Sequence, residues 1–179
     1  MINNITQKAY ELSEQLIKTR REKLKKFCHE ALDNPKFMKR KKKTFCNLAA
    51  RFIAESMGVI TKICNVFLMW TRSGQKWITG TANVIAKNAE KLAVEGKIQE
   101  IYDLDEAQGW QWMGYIILYA WKNPNRRSSG HVAIGYPTEP GKEPLKICNI
   151  GWNNLICEPN NKKAFGSLPF KIYRLPMII

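Results

Sequence analysis

At 179 residues, with 45% hydrophobic and 11% aromatic content, the chain is long enough to bury one sizeable core, and its composition excludes a disordered segment. Five cysteines without a CxxC pair argue against a disulfide framework, and two histidines make a zinc site improbable. The net charge of +14 points to a polyanionic partner, whether nucleic acid, an acidic wall polymer or an anionic surface, while no apolar run is long enough to span a membrane.

Residues 4–33 have the spacing of a helix. Ile5, Ala9, Leu12 and Leu16 lie on one stripe, and Leu24, Phe27, Cys28, Ala31 and Leu32 continue it on a drifting face. Asp33-Asn34-Pro35 ends this helix, and six of the eight residues between Lys36 and Lys43 are basic. Residues 1–43 carry 13 basic against 5 acidic side chains and read as a basic helical extension ahead of a domain at 44–179. The run is either a solvated arm or an electrostatic anchor to a polyanion. Residues 1–26 contain no apolar block before a small-residue cleavage site, so no secretory signal is expected.

A second helix is predicted over residues 44–58, with Thr44 as its cap and Gly58 closing its end. Phe45, Leu48, Ala49, Phe52, Ile53 and Met57 form its apolar stripe. The next segment, 59–70, is apolar and leads through a polar turn to a third helix over 81–94, stopped by Gly96. Residues 103–108 have the composition of one or two further helical turns. Beyond them the period shortens. Residues 112–121, 131–137, 145–151, 155–158 and 170–175 are β-branched or aromatic and separated by Asn, Pro, Gly and Ser clusters. Helices first and strands second describe an α+β domain with a C-terminal antiparallel sheet.

Cys46 falls in the first turn of the second helix, where unpaired amides and the helix dipole favour thiolate. His131 begins a strand whose hairpin, turned near Pro140, brings Asn149 approximately opposite. Side chains so paired lie roughly 5 Å apart on one face, and an amide oxygen there can fix the imidazole tautomer. Cys46, His131 and Asn149 thus supply a nucleophile, a base and an orienting residue. Each also has a plain structural reading: a small buried hydrophobe, a strand-end histidine, a turn asparagine. His29 is assigned no chemistry.

Several short motifs, in this order, resemble the papain-like peptidoglycan hydrolases and amidases of the CHAP and NlpC group. They are Cys46-Asn47 at a helix start, Thr81-Ala82-Asn83 opening the next helix, and the acidic-Ala-x-Gly segment ending at Gly109. Ser129-Gly130-His131-Val132-Ala133-Ile134-Gly135 on a strand is the strongest match. Asn149-Ile150-Gly151, Asn153-Asn154, Phe165-Gly166 and the closing strand near Phe170 complete the series across residues 40–175. The resemblance implies a papain-like fold in which the helix carrying the cysteine packs on the sheet. It also implies a Cys46 nucleophile, a His131 base and no cofactor. Its third residue is matched best by Asn149, where many members have glutamate; Asn153 and Asn154 remain alternatives. The substrates implied are peptidoglycan amides, either between D-γ-glutamyl and a diamino acid or between the sugar lactyl group and the peptide.

Three functions stand at this point. The first is a cell-wall amidase or endopeptidase, made in the cytoplasm and acting at the wall after lysis or non-classical export. It would be a lysin or an injected effector, the latter with an immunity protein as partner. The second is a basic nucleic-acid-binding protein using residues 36–43 and aromatic stacking. The third is a papain-like thiol hydrolase of another amide or ester.

Overall fold

The computed structural model describes residues 2–37, 45–59, 65–70, 77–125, 128–151 and 153–177. Thr44, Cys64 and most of the basic run, residues 38–43, lie outside them. The helices are α1 (Ile2–Asp33), α2 (Cys46–Ser56), α3 (Ala82–Val94) and α4 (Leu104–Trp112). The strands are β1 (Leu68–Trp70), β2 (Trp77–Thr79), β3 (Gln99–Ile101), β4 (Ile117–Trp121), β5 (His131–Tyr136), β6 (Lys146–Asn149), β7 (Leu155–Cys157) and β8 (Lys171–Arg174). The α+β class is as expected. β1 and β2 form a small separate hairpin, and the other six strands make an antiparallel sheet in the order β3-β8-β4-β5-β6-β7. No helix among the described residues is long and apolar enough to cross a membrane.

The sheet buries both faces. Leu118, Ala120, Val132, Ile134, Cys148 and Tyr173 meet α1, α2 and α3 in one core. Ile117, Tyr119, Ala133, Ile147 and Ile172 meet Ala107 of α4 and Phe165 in a second. Successive strand residues point to opposite faces, so a strand covered on both sides becomes a continuous apolar run, as β4 is. This layering sets α2 against β5 and α3 against β4 and β5.

The first helix is built into the main core over its C-terminal half. Leu24, Cys28 and Ala31 are fully buried there, whereas Leu12 and Leu16 are exposed. Chain on the two sides of the boundary expected at residue 43 therefore shares one core. The Cys148 thiol donates to the Cys28 carbonyl at 3.6 Å, tying α1 to β6.

Four local expectations change. The residue flanking α2 is Phe45, with φ −124° and ψ 28°, and it makes no side-chain cap bond. Residues 112–116 are not strand. Asp103 caps α4 by accepting from the amides of Asp105 and Glu106, the helix runs on to Trp112, and Gly114 at φ 78° breaks it. A side chain at Gly114 would also run into Arg20 of α1. β3 and the β1–β2 hairpin are additional strands. Finally, the β5–β6 register sets Ile134 opposite Cys148, which places Gly151 opposite His131. Asn149 is therefore the diagonal neighbour of His131, displaced by two residues and so still on the same face.

Candidate active site

Cys46 is the first residue of α2, and His131 is the first residue of β5. Packing α2 against β5 brings them together at one end of the sheet, near enough for the imidazole to favour the thiolate. Phe45, which flanks the helix, offers no capping side chain, and the Asn47 N–H of the first turn stabilises the thiolate. The Val132 N–H acts in the same way from β5. The Asn47 side chain is occupied elsewhere, its Nδ2 donating to the Gly80 carbonyl at 2.8 Å.

Asn149 is fully buried and has every polar atom engaged. Its Nδ2 donates to the carbonyls of Asn153, at 2.8 Å, and Lys163, at 3.0 Å. Two carbonyl acceptors on one side define which end of the amide is NH2, so Oδ1 faces the ring. It lies 2.6 Å from His131 Nε2. An acceptor at that distance requires Nε2 to carry the proton, which leaves Nδ1 for the thiol. The same carbonyls explain an asparagine here rather than a carboxylate, which has no proton to give them.

Burial alone would raise the Cys46 thiol, but the His131 imidazole and the two backbone amides outweigh it and hold the thiol below its ordinary value. Burial alone would lower His131, yet the sulfur and the Asn149 carbonyl hold it above. Both shifts favour thiolate beside imidazolium.

The other candidates are placed elsewhere. Asn153 contributes its backbone carbonyl to Asn149. Asn154 accepts from the Gly151 N–H at 3.0 Å and donates to the Leu32 carbonyl at 3.4 Å. Neither orients the imidazole. His29 Nε2 lies 3.3 Å from the Tyr136 hydroxyl, at the far end of β5. Cys28, Cys148 and Cys157 are buried free thiols, with burial raising Cys28 and pushing Cys157 up to about 11.

The sequence marks Phe165 only as part of a Phe-Gly motif, and the structure gives it a place at the site, its ring lying 4.9 Å from that of His131 at 56°. It covers the imidazole from the second core while α2 approaches from the first. No local pattern marks that contact, which depends on where the chain between β7 and β8 returns. Gly130 is a second such residue, because any side chain there would strike the Trp121 carbonyl and the Asn83 amide. Asn83 in turn accepts from the Asn123 N–H at 2.8 Å and donates to the Ser128 carbonyl at 2.9 Å, holding the turn that delivers His131.

No protein-family model, curated protein or solved structure matches the chain.

Proposed function

We propose that this protein is a cysteine hydrolase of amide bonds, with peptidoglycan as its substrate. The observation that carries the reading is the Cys46–His131–Asn149 relay, with its 2.6 Å histidine–asparagine bond and its thiol in the first turn of α2. The motif order that resembles the CHAP and NlpC group supplies the substrate class.

The Cys46 thiolate attacks the amide carbonyl. The carbonyl oxygen becomes an oxyanion beside the N-terminus of α2, where the Cys46 backbone N–H donates to it. Imidazolium at His131 then gives its proton to the leaving nitrogen, and the C–N bond breaks to leave a thioester on Cys46. Water, deprotonated by His131, attacks the thioester, releasing a carboxylic acid and restoring the thiol–imidazole pair. Asn149 acts by holding the ring, and Phe165 by covering its face.

The wild-type protein should release soluble fragments from purified peptidoglycan, with masses reporting hydrolysis of an amide, while Cys46→Ala releases none. Hydrolysis that persists undiminished in Cys46→Ala would overturn the reading. We place the protein's action at the wall, with the basic segment between Lys36 and Lys43 as the part that holds an anionic wall polymer.

A further inference from the structure

Cys46 and His131 begin different elements, α2 and β5, so something beyond either element must set the gap between thiol and ring. Asn149 fixes how the ring is turned, but its hydrogen bonds run to His131, Asn153 and Lys163, and none reaches α2. Residues 80–83, at the head of α3, are bonded to both sides instead. On one side Asn47, next to the nucleophile, donates from Nδ2 to the Gly80 carbonyl at 2.8 Å. Arg51, one turn further along α2, donates from Nη1 to the Thr79 hydroxyl at 2.9 Å. On the other side the Asn83 amide grips the entry to β5 through the Asn123 N–H and the Ser128 carbonyl. Its oxygen also stands where a Gly130 side chain would be, one residue before His131.

The segment between these two grips has little freedom. The Gly80 N–H donates to the carbonyl of the fully buried Phe67 at 2.8 Å, and a side chain at Gly80 would run into Val84. The Thr81 hydroxyl accepts from the Val84 N–H at 3.4 Å, and Ala82 is buried. A first helical turn bonded at its cap and at the residue before the cap keeps its two ends a fixed distance apart. Reacting groups need that kind of support, because a small misplacement costs much of their effect on each other.

We propose that Asn47 and Asn83 are positioning residues, which use the head of α3 as a rigid spacer to hold Cys46 and His131 at one separation. For turnover this rests on the hydrolase reading above; for the spacing of thiol and ring it does not. The three asparagines then have separable roles. Asn149 acts on the ring, whereas Asn47 and Asn83 act on the gap, and the gap governs both partners at once, since thiolate and imidazolium each favour the other. Apart from burial, the groups that shift the pair are each other, the Val132 and Asn47 backbone N–H groups and the Asn149 side chain. A wider gap should therefore raise the Cys46 midpoint and lower that of His131 together.

The test reads both groups in the full chain and needs no substrate. Cys46 is followed by the pH dependence of its alkylation with peptide mapping, and His131 by NMR titration of its ring protons. Asn83→Ala should move the two midpoints in opposite directions, slowing alkylation on the acid side of the Cys46 midpoint roughly tenfold. Asn47→Ala should do the same, and it keeps the test open should Asn83→Ala fail to fold. Alanine retains the backbone N–H that favours the thiolate, so the effect reports the lost side-chain bond. The comparison is Asn88→Ala on the same helix, where Nδ2 donates to the Val66 and Leu68 carbonyls at 3.3 and 3.0 Å and reaches neither α2 nor β5 by those bonds. It should lower Tm and leave both midpoints in place. Unmoved midpoints in a folded Asn47 or Asn83 variant would overturn the spacer. So would movement of His131 alone, or equal movement in Asn88→Ala. Paired movement in a protein that leaves peptidoglycan intact would support the spacer and remove the hydrolase reading instead.

Discussion

Asn149 spends its NH2 group on the Asn153 and Lys163 carbonyls, and its remaining oxygen then decides the tautomer of His131. The consequence can be read in a pH profile. Below the depressed Cys46 pKa the sulfur is a protonated, inert thiol; above the raised His131 pKa the ring has lost the proton the leaving amine needs. The plateau should therefore begin below the ordinary thiol value of about 8.5 and end above the ordinary imidazole value of about 6.5. Asn149→Ala removes one cause of the His131 elevation. Its alkaline limb should move to lower pH, with kcat down roughly tenfold and KM little changed. An unmoved limb would give Asn149 a purely structural role. In alkylation kinetics followed by peptide mapping, Cys46 should react ahead of Cys28, Cys148 and Cys157, because His131 and two backbone amides favour its thiolate while burial raises Cys28 and Cys157. The residue types for this relay are legible in the sequence, because only two histidines are available and one begins a strand.

At the scale of elements, α1 is the helix whose role depends most on its neighbours. Its apolar positions drift around the helix, so spacing alone leaves open which half is covered. Leu24 is fully buried between α1 and the main core, while Leu12 is 64% exposed. Leu24→Ala should therefore cost about 3 kcal/mol and lower Tm by roughly 10 °C, whereas Leu12→Ala should stay within about 0.5 kcal/mol. Equal effects of the two in thermal melts would contradict the docking described. Removing residues 1–34 should for the same reason unfold the domain, since it strips Leu24, Cys28 and Ala31 from the core together. Helix ends follow local chemistry more faithfully. Thr81 caps α3 through a bond from the Val84 N–H, and Gly58 and Gly96, as expected, take left-handed conformations after their helices. At α2 the flanking Phe45 makes no side-chain cap bond, and the expected cap Thr44 lies outside the described residues.

For the whole molecule, the surplus of +14 is a statement about partners more than stability. The ion pairs among described residues are mostly on the surface, where each contributes about 0–1 kcal/mol. Replacing Lys39, Arg40, Lys41, Lys42 and Lys43 by Gln should weaken retention on isolated cell walls and flatten its salt dependence, yet leave turnover of a small soluble substrate unchanged. Retention that is unaltered and still salt-sensitive would move the anchor elsewhere on the surface. Composition and period by themselves determined the α+β class, the α3 boundaries, the cores of the five C-terminal strands and the types of residue available for a thiol relay. Those properties depend on a residue and its neighbours within a few positions. Only the tertiary structure decided that β6 is offset by two residues from the expected register, that Asn149 rather than Asn153 or Asn154 meets His131, and that Phe165 closes over the ring. These depend on how chain segments tens of residues apart settle on a sheet buried on both faces, and a packed core admits few such arrangements.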